Sequence, residues 1–173
     1  MRRIVLTFGL IAGAVMSAMM LITIPFHEQL GDGTGMALGY TAMVLASVLI
    51  YVGIRQHRDV VLGGSISYWQ GLKVGLLISA VAVACYVITW QVIYYGWFPD
   101  FAEVYGAEAV RRLQESGASA AEIAETTAEM QRFAELYKNP LVNIAFTILE
   151  PLPVVLLFSL VSAGLLRKPA SAT

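Results

Sequence analysis

LVNIAFTILEPLPVVLLFSLVSAGLL, residues 141–166, is an apolar run of spanning length with Glu150, Pro151 and Pro153 set near its middle. A helix of about 20 apolar residues crosses the ~30 Å hydrocarbon layer of a bilayer. The two prolines lack the N–H groups that would bond the carbonyls of Thr147 and Leu149, so the helix is expected to break at this point. At ~1.5 Å per residue Glu150 lies roughly 14 Å from the outer end of the run, close to the bilayer middle. No water reaches that depth, so the carboxyl and the released carbonyls need partners inside the protein.

Three further apolar runs precede this one. With 58% hydrophobic and 13% charged residues and a mean hydropathy of +0.70, the 173-residue chain falls in the membrane class. The expected fold is an all-α integral membrane protein, one domain over 1–173, with transmembrane helices at about 4–24, 36–54, 72–95 and 141–166. Residues 97–139 are expected to form an extracytoplasmic α-helical hairpin between the third and fourth spans. Arg2 and Arg3 ahead of the first run imitate a signal peptide, but the run's length points to an uncleaved anchor. Pro25 ends that run. Ser67 with Gln70 reads as a capping box opening the third, and Asn139-Pro140 opens the fourth.

The basic residues set an orientation. Arg2, Arg3, Arg55, Arg58, Lys73, Arg167 and Lys168 fall on one side, whereas the first loop holds His27, Glu28 and Asp32 without Lys or Arg. The positive-inside rule then puts both termini and the loop of residues 55–69 in the cytoplasm. Tyr40, Trp90, Tyr94, Tyr95 and Trp97 are expected as an outer aromatic belt, with Tyr51, Tyr68 and Trp69 on the inner side.

Between Gly96 and Pro140 the composition turns charged and alanine-rich, which reads as two helices outside the bilayer. Asp100 with Glu103 is expected to cap the first, and Ser119 with Glu122, just after Gly117, to form a capping box for the second. Ile123, Thr127, Met130, Ala134 and Tyr137 make an apolar stripe on the second. Phe101, Val104, Tyr105, Ala109 and Leu113 are its expected counterpart.

Hydrocarbon offers no drive for apolar helices to associate, so small residues that admit close approach mark the interfaces. Gly9, Gly13 and Ser17 share a face of the first span. Gly35, Gly39, Ala42 and Ala46 share one on the second, and Gly71, Gly75, Ser79 and Ala82 one on the third. They read as contacts within a four-helix bundle and leave a homo-oligomer open.

Glu150, Pro151, Pro153, Tyr86, Ser17 and Ser47 form the candidate intramembrane polar site, with Thr89 also within reach by depth. Lys73 sits near the inner boundary, so no basic residue matches Glu150. One reading is a proton or cation station of a transporter, for which broken helices at the midplane are a recurring device; the other is a hydrogen-bonded kink. Arg55, Arg58 and Lys73 read as a headgroup or cytoplasmic contact, or simply as a basic stop signal.

His27, Glu28 and Asp32 are too few and too loosely spaced to suggest a metal site. No catalytic residue is expected, because His27 and His57 fall on opposite sides of the membrane and neither can complete a triad. There is no P-loop lysine, no zinc spacing, and hence no expected cofactor. The net charge of −1 speaks against nucleic acid, and Cys85 alone makes no intramolecular disulfide.

Taken in order, Gly53-Ile54-Arg55 with Arg58-Asp59, Leu62-Gly63-Gly64 with Ile66, Gly71-Leu72-Lys73 with Gly75, Tyr86 with Trp90, Asp100-Phe101, Tyr137-Lys138-Asn139-Pro140 and Glu150-Pro151-Leu152-Pro153 resemble a bacterial inner-membrane family known as domain of unknown function 4199. The resemblance spans almost the whole chain. It implies a small four-span inner-membrane protein with a charged segment before its last helix, and it carries over no assigned biochemical activity. The first functional expectation is a non-enzymatic anchor or interaction protein whose hairpin binds a protein partner or a second copy. The alternative is a small transporter or ion-conducting protein using Glu150.

Overall fold

The computed structural model describes residues 1–24 and 27–168, and the backbone alone for residues 27–33. Pro25 and the side chains of His27, Glu28 and Asp32 therefore lie outside the described set. Among the described residues there are seven α-helices and no strand. These are α1 (Arg2–Thr23), α2 (His27–Gln56), α3 (Tyr68–Gly96), α4 (Phe101–Glu115), α5 (Ala120–Tyr137), α6 (Pro140–Leu149) and α7 (Leu152–Leu166). A π-helical turn, His57–Val61, continues α2, and an isolated antiparallel bridge joins Ile66 to Lys168.

Among the described residues, three helical segments are long and apolar enough to cross a membrane: Arg2–Thr23, Thr34–Val61 and Tyr68–Gly96. Helices α6 and α7 add a fourth if the broken pair counts as one span. Leu10, Leu21, Leu45, Ile88, Leu157 and Leu165 are all more than half exposed. That much apolar surface on four helices suits hydrocarbon and not water. Helix α3 begins four residues before the expected Leu72. Gln70 N–H donates to Ser67 Oγ at 3.3 Å and Ser67 N–H to Gln70 Oε1 at 3.0 Å, a complete capping box that holds Tyr68 in the first turn.

The chain divides into two compact units, Met1–Thr89 with Ile148–Thr173, and Trp90–Thr147. In the first, glycines set the helix spacing. A Cβ added at Gly9 would stand 2.6 Å from Val81 Cβ, and one at Gly13 2.6 Å from Cys85 Cβ, so α1 and α3 touch nearly backbone to backbone. A Cβ at Gly75 would lie 3.2 Å from Ser159 Cβ on α7. Behind it, the buried Ser79 and Ser159 hydroxyls are 3.1 Å apart, while each also lies within bonding distance of a carbonyl one turn back. Gly53, not singled out by the small-residue pattern, admits Ile78 and Phe8. Gly35 and Gly39 depart from that pattern: among the described residues nothing lies within 4 Å of a Cβ at either position, so the described helices do not pack there.

In the second unit, α4 and α5 pack side by side, with Gly106 against Met130 and Lys138 Nζ 3.2 Å from Glu103 Oε1. The turn between them uses Gly117 at φ +77°, a left-handed conformation that glycine adopts without strain. Ser119 and Glu122 form the expected capping box, and the Ser119 backbone N–H and then its hydroxyl hold the Glu122 carboxyl below the usual carboxylate range. Asp100 departs from expectation. It occupies the cap position of α4, yet its side chain makes no capping bond, because its φ, ψ of −97°, 11° lie outside the extended region in which a side chain reaches the first-turn amides. The packing face of α4 also differs. Ala102 and Gly106 are buried, while Val104 and Tyr105 are exposed, because the close approach to Met130 selects the smallest side chains.

An aromatic cluster organises the rest of this unit. Trp90 Nε1 donates to Tyr137 Oη at 2.9 Å, Phe101 meets Trp90 edge-on at 4.8 Å, and Phe133 meets Phe146 edge-on at 5.4 Å. Trp90 and Tyr94, expected in an outer belt, are buried in this cluster, whereas Tyr95 and Trp97 remain exposed. The fully buried Asn143 accepts from Gln91 Nε2 at 2.7 Å.

The two classes of glycine should separate experimentally. Gly13→Val is expected to destabilise the protein by about 1–3 kcal/mol through overpacking. Gly39→Ala should be neutral or stabilising by up to ~1 kcal/mol, since a mid-helix glycine is replaced without a clash. Reversible unfolding in detergent followed by circular dichroism measures both, and equal destabilisation would contradict the α1–α3 contact.

Candidate functional site

Helix α6 ends at Leu149 and α7 begins at Leu152, leaving Glu150 and Pro151 in the break. Pro151 is the cap residue of α7. With Pro153 also lacking an N–H, Leu152 and Val154 are the amide donors at the positive end of that 15-residue helix. Glu150 is about ten residues from the start of α6 and Tyr86 about ten from the end of α3, which puts each roughly 15 Å from that helix end.

The two meet. Tyr86 Oη donates to Glu150 Oε2 at 2.7 Å. Tyr86 is buried at 6% exposure in a cluster with Ala12, Met16, Met43, Ala46 and Ala82, so its ring is fixed by packing; Glu150 keeps exposed surface. The structure directs the other polar candidates elsewhere. Ser17 Oγ lies 2.8 Å from the Thr89 hydroxyl, which is also 2.9 Å from the Cys85 carbonyl. The buried Ser47 hydroxyl donates to the Met43 carbonyl at 2.7 Å. A serine with a carbonyl one turn back has its backbone as a partner, and no break in α2 makes Ser47 look further.

Glu150 and Tyr86 line a cavity of about 140 Å³. Its other walls come from α1, through Met16, Met19, Met20 and Thr23, and from α2, through Gly35, Met36, Gly39, Tyr40 and Met43. Five of the chain's seven methionines are in this lining. The spacings carried a signal that polarity alone did not raise: 16, 19 and 20 share one helical face, as do 36, 39, 40 and 43. The open space follows from Gly35 and Gly39, whose missing side chains nothing else replaces.

The basic set at the other end is partly neutralised. Arg58 pairs with Asp59, Nε to Oδ1 at 2.6 Å, and reaches the Leu166 carbonyl at 3.4 Å, while Arg55 Nε lies 3.7 Å from Asp59 Oδ2 and Lys73 is exposed. A groove of about 570 Å³ runs beside Tyr68 and Trp69, with Arg167 and Lys168 on its wall. Among the described residues, no group of three or more His, Cys, Asp or Glu side chains is placed to hold a metal ion.

A family model described as "Protein of unknown function (DUF4199)" matches residues 7–168. No curated protein and no solved structure matches the chain.

The Tyr86–Glu150 bond should appear as energetic coupling. In a double-mutant cycle of Tyr86→Phe and Glu150→Ala, unfolding in detergent is expected to show a coupling energy of about 1 kcal/mol. Strict additivity of the two substitutions would mean that the bond contributes nothing.

Proposed function

The chain belongs to the DUF4199 family, and from that premise we propose that it is a small bacterial inner-membrane transporter or ion-conducting protein in which Glu150 binds a proton or cation. In this reading α6 and α7 form one broken span, giving four spans in a bundle. Both termini and the segment around the π-helical turn face the cytoplasm, and α4 with α5 forms an extracytoplasmic hairpin. The charge asymmetry of Arg2, Arg3, Arg55, Arg58, Arg167 and Lys168 supports that orientation.

The observation that carries the functional reading is the hydrogen bond from Tyr86 to Glu150 on the wall of a cavity, at mid-span depth and at a helix break. A kink serving shape alone needs its polar groups satisfied but needs no space beside them. Here Tyr86 engages one carboxyl oxygen, and Glu150 borders a void that a proton-carrying water or a cation can enter. Ionisable groups within spans mark such pathways, and interrupted helices present their ends to the bound ion. Ser17 bonds to Thr89 and Ser47 to the Met43 carbonyl, neither to Glu150, and the reading is non-enzymatic.

A second reading, an interaction protein, rests on the exposed Val104, Tyr105 and Leu136 of the paired helices, which suit a protein partner or a second copy. Deleting residues 100–138 is expected to remove crosslinked partners from native membranes if that reading holds; an unchanged set of partners rules it out.

For the transport reading, the measurement is proton and cation flux in liposomes carrying the purified protein. Glu150→Gln preserves size and removes the ionisable proton, and flux is expected to fall at least tenfold. Equal flux in wild type and variant ends the proposal.

A further inference from the structure

The cavity beside Glu150 has a chemistry that narrows what it can hold. Among the described residues its acid is Glu150, and the other side-chain oxygens in its lining are the hydroxyls of Tyr86, Tyr40 and Thr23. The Thr23 hydroxyl turns to its own helix, 2.9 Å from the Met19 carbonyl and 3.2 Å from that of Met20. Dehydrated hard cations such as magnesium and calcium require about six or more oxygen ligands, more than the described residues of this lining supply. Thioethers dominate instead. Methionine is polarizable and conformationally adaptable, and it moulds to apolar bodies of varied shape. The faces of tyrosine rings attract cations by their quadrupole.

Size is the second constraint. A cavity of about 140 Å³ is close to the ~150 Å³ of an engineered protein cavity that accommodates benzene. The room exists because Gly35 and Gly39 present no side chain and no neighbour fills in for them.

We infer that the cavity binds a small organic ammonium ion, its charged nitrogen against the Glu150 carboxylate and an apolar body of about one ring's size among the methionines. This deepens the transport reading, on which it rests, by naming the substrate class. The Tyr86 hydroxyl donates to one carboxylate oxygen and the ammonium N–H groups donate to the carboxylate as well, so the ligand's charge is neutralised at the carboxylate. Thioethers also take soft metal ions such as silver or copper(I), but those would gain little from the carboxylate. An ammonium ion uses both halves of the site.

The test is calorimetric binding of benzylammonium at neutral pH to the full-length protein in detergent, with benzyl alcohol as the neutral analogue and silver ion as the soft-metal probe. Saturable binding of benzylammonium is expected, with the alcohol at least tenfold weaker. Glu150→Gln should weaken benzylammonium at least tenfold while leaving helicity and elution volume unchanged, and Met36→Ala, at an exposed position of the lining, should weaken it severalfold. Absent binding, equal binding of the alcohol, indifference to Glu150→Gln, or methionine-dependent binding of silver in place of the ammonium would each overturn the inference. Flux separates the two proposals: Glu150-dependent proton flux without benzylammonium binding removes only the substrate class. Binding without any Glu150-dependent flux removes the transport reading.

Discussion

The contact of Gly13 with Cys85 is where the geometry of the first unit begins. In hydrocarbon two helices gain little from burying leucines against each other, because lipid tails are equally apolar; they gain from close van der Waals packing. Gly9 and Gly13 let α1 approach α3 until side-chain carbons of one meet the backbone of the other, and an approach that close permits one register. Once Gly13 meets Cys85, the neighbouring Tyr86 packs with Ala12 and Met16. From that buried position its hydroxyl reaches Glu150. The Tyr86–Glu150 pair is therefore a consequence of glycine packing about one turn of helix long.

The same residue type does opposite work on α2. Gly35 and Gly39 follow the spacing of Gly9 and Gly13, but no helix closes on them, and the result is a void instead of an interface. Methionines from α1 and α2 surround that void. They keep it apolar and adaptable, while the helix break brings in the carboxyl of Glu150. The combination sets one strong polar group beside a deformable wall and space that packing has not consumed.

Unit two is organised on different terms. Its helices α4 and α5 carry most of the chain's acidic residues and are held by small-residue packing at Gly106, by Lys138 bridging Glu135 and Glu103, and by the aromatic cluster around Tyr137. The carboxylates of Glu135 and then Glu103 hold the Lys138 ammonium above its usual range. Trp90 and Tyr94 contribute to this cluster from the end of α3, so aromatic residues placed as though for a lipid interface serve internal packing.

Much of this could be read from residues alone, for reasons local to the chain. Apolar run length predicted helices of spanning size, Ser67 with Gln70 and Ser119 with Glu122 predicted helix starts, and Pro151 with Pro153 predicted the break, since each rests on backbone chemistry within a few residues. Asp100 shows the limit of that logic: the residue type suited a cap, but its backbone angles did not. Depth counting put Tyr86, Ser17 and Ser47 equally near Glu150, and only the α1–α3 register chose Tyr86. The burial of Ala102 in place of Val104, and the opening of Gly35 and Gly39 onto a methionine-lined cavity, depended likewise on which helix lay opposite. Side-chain periodicity says which residues share a face, but what covers that face is decided by residues distant in sequence.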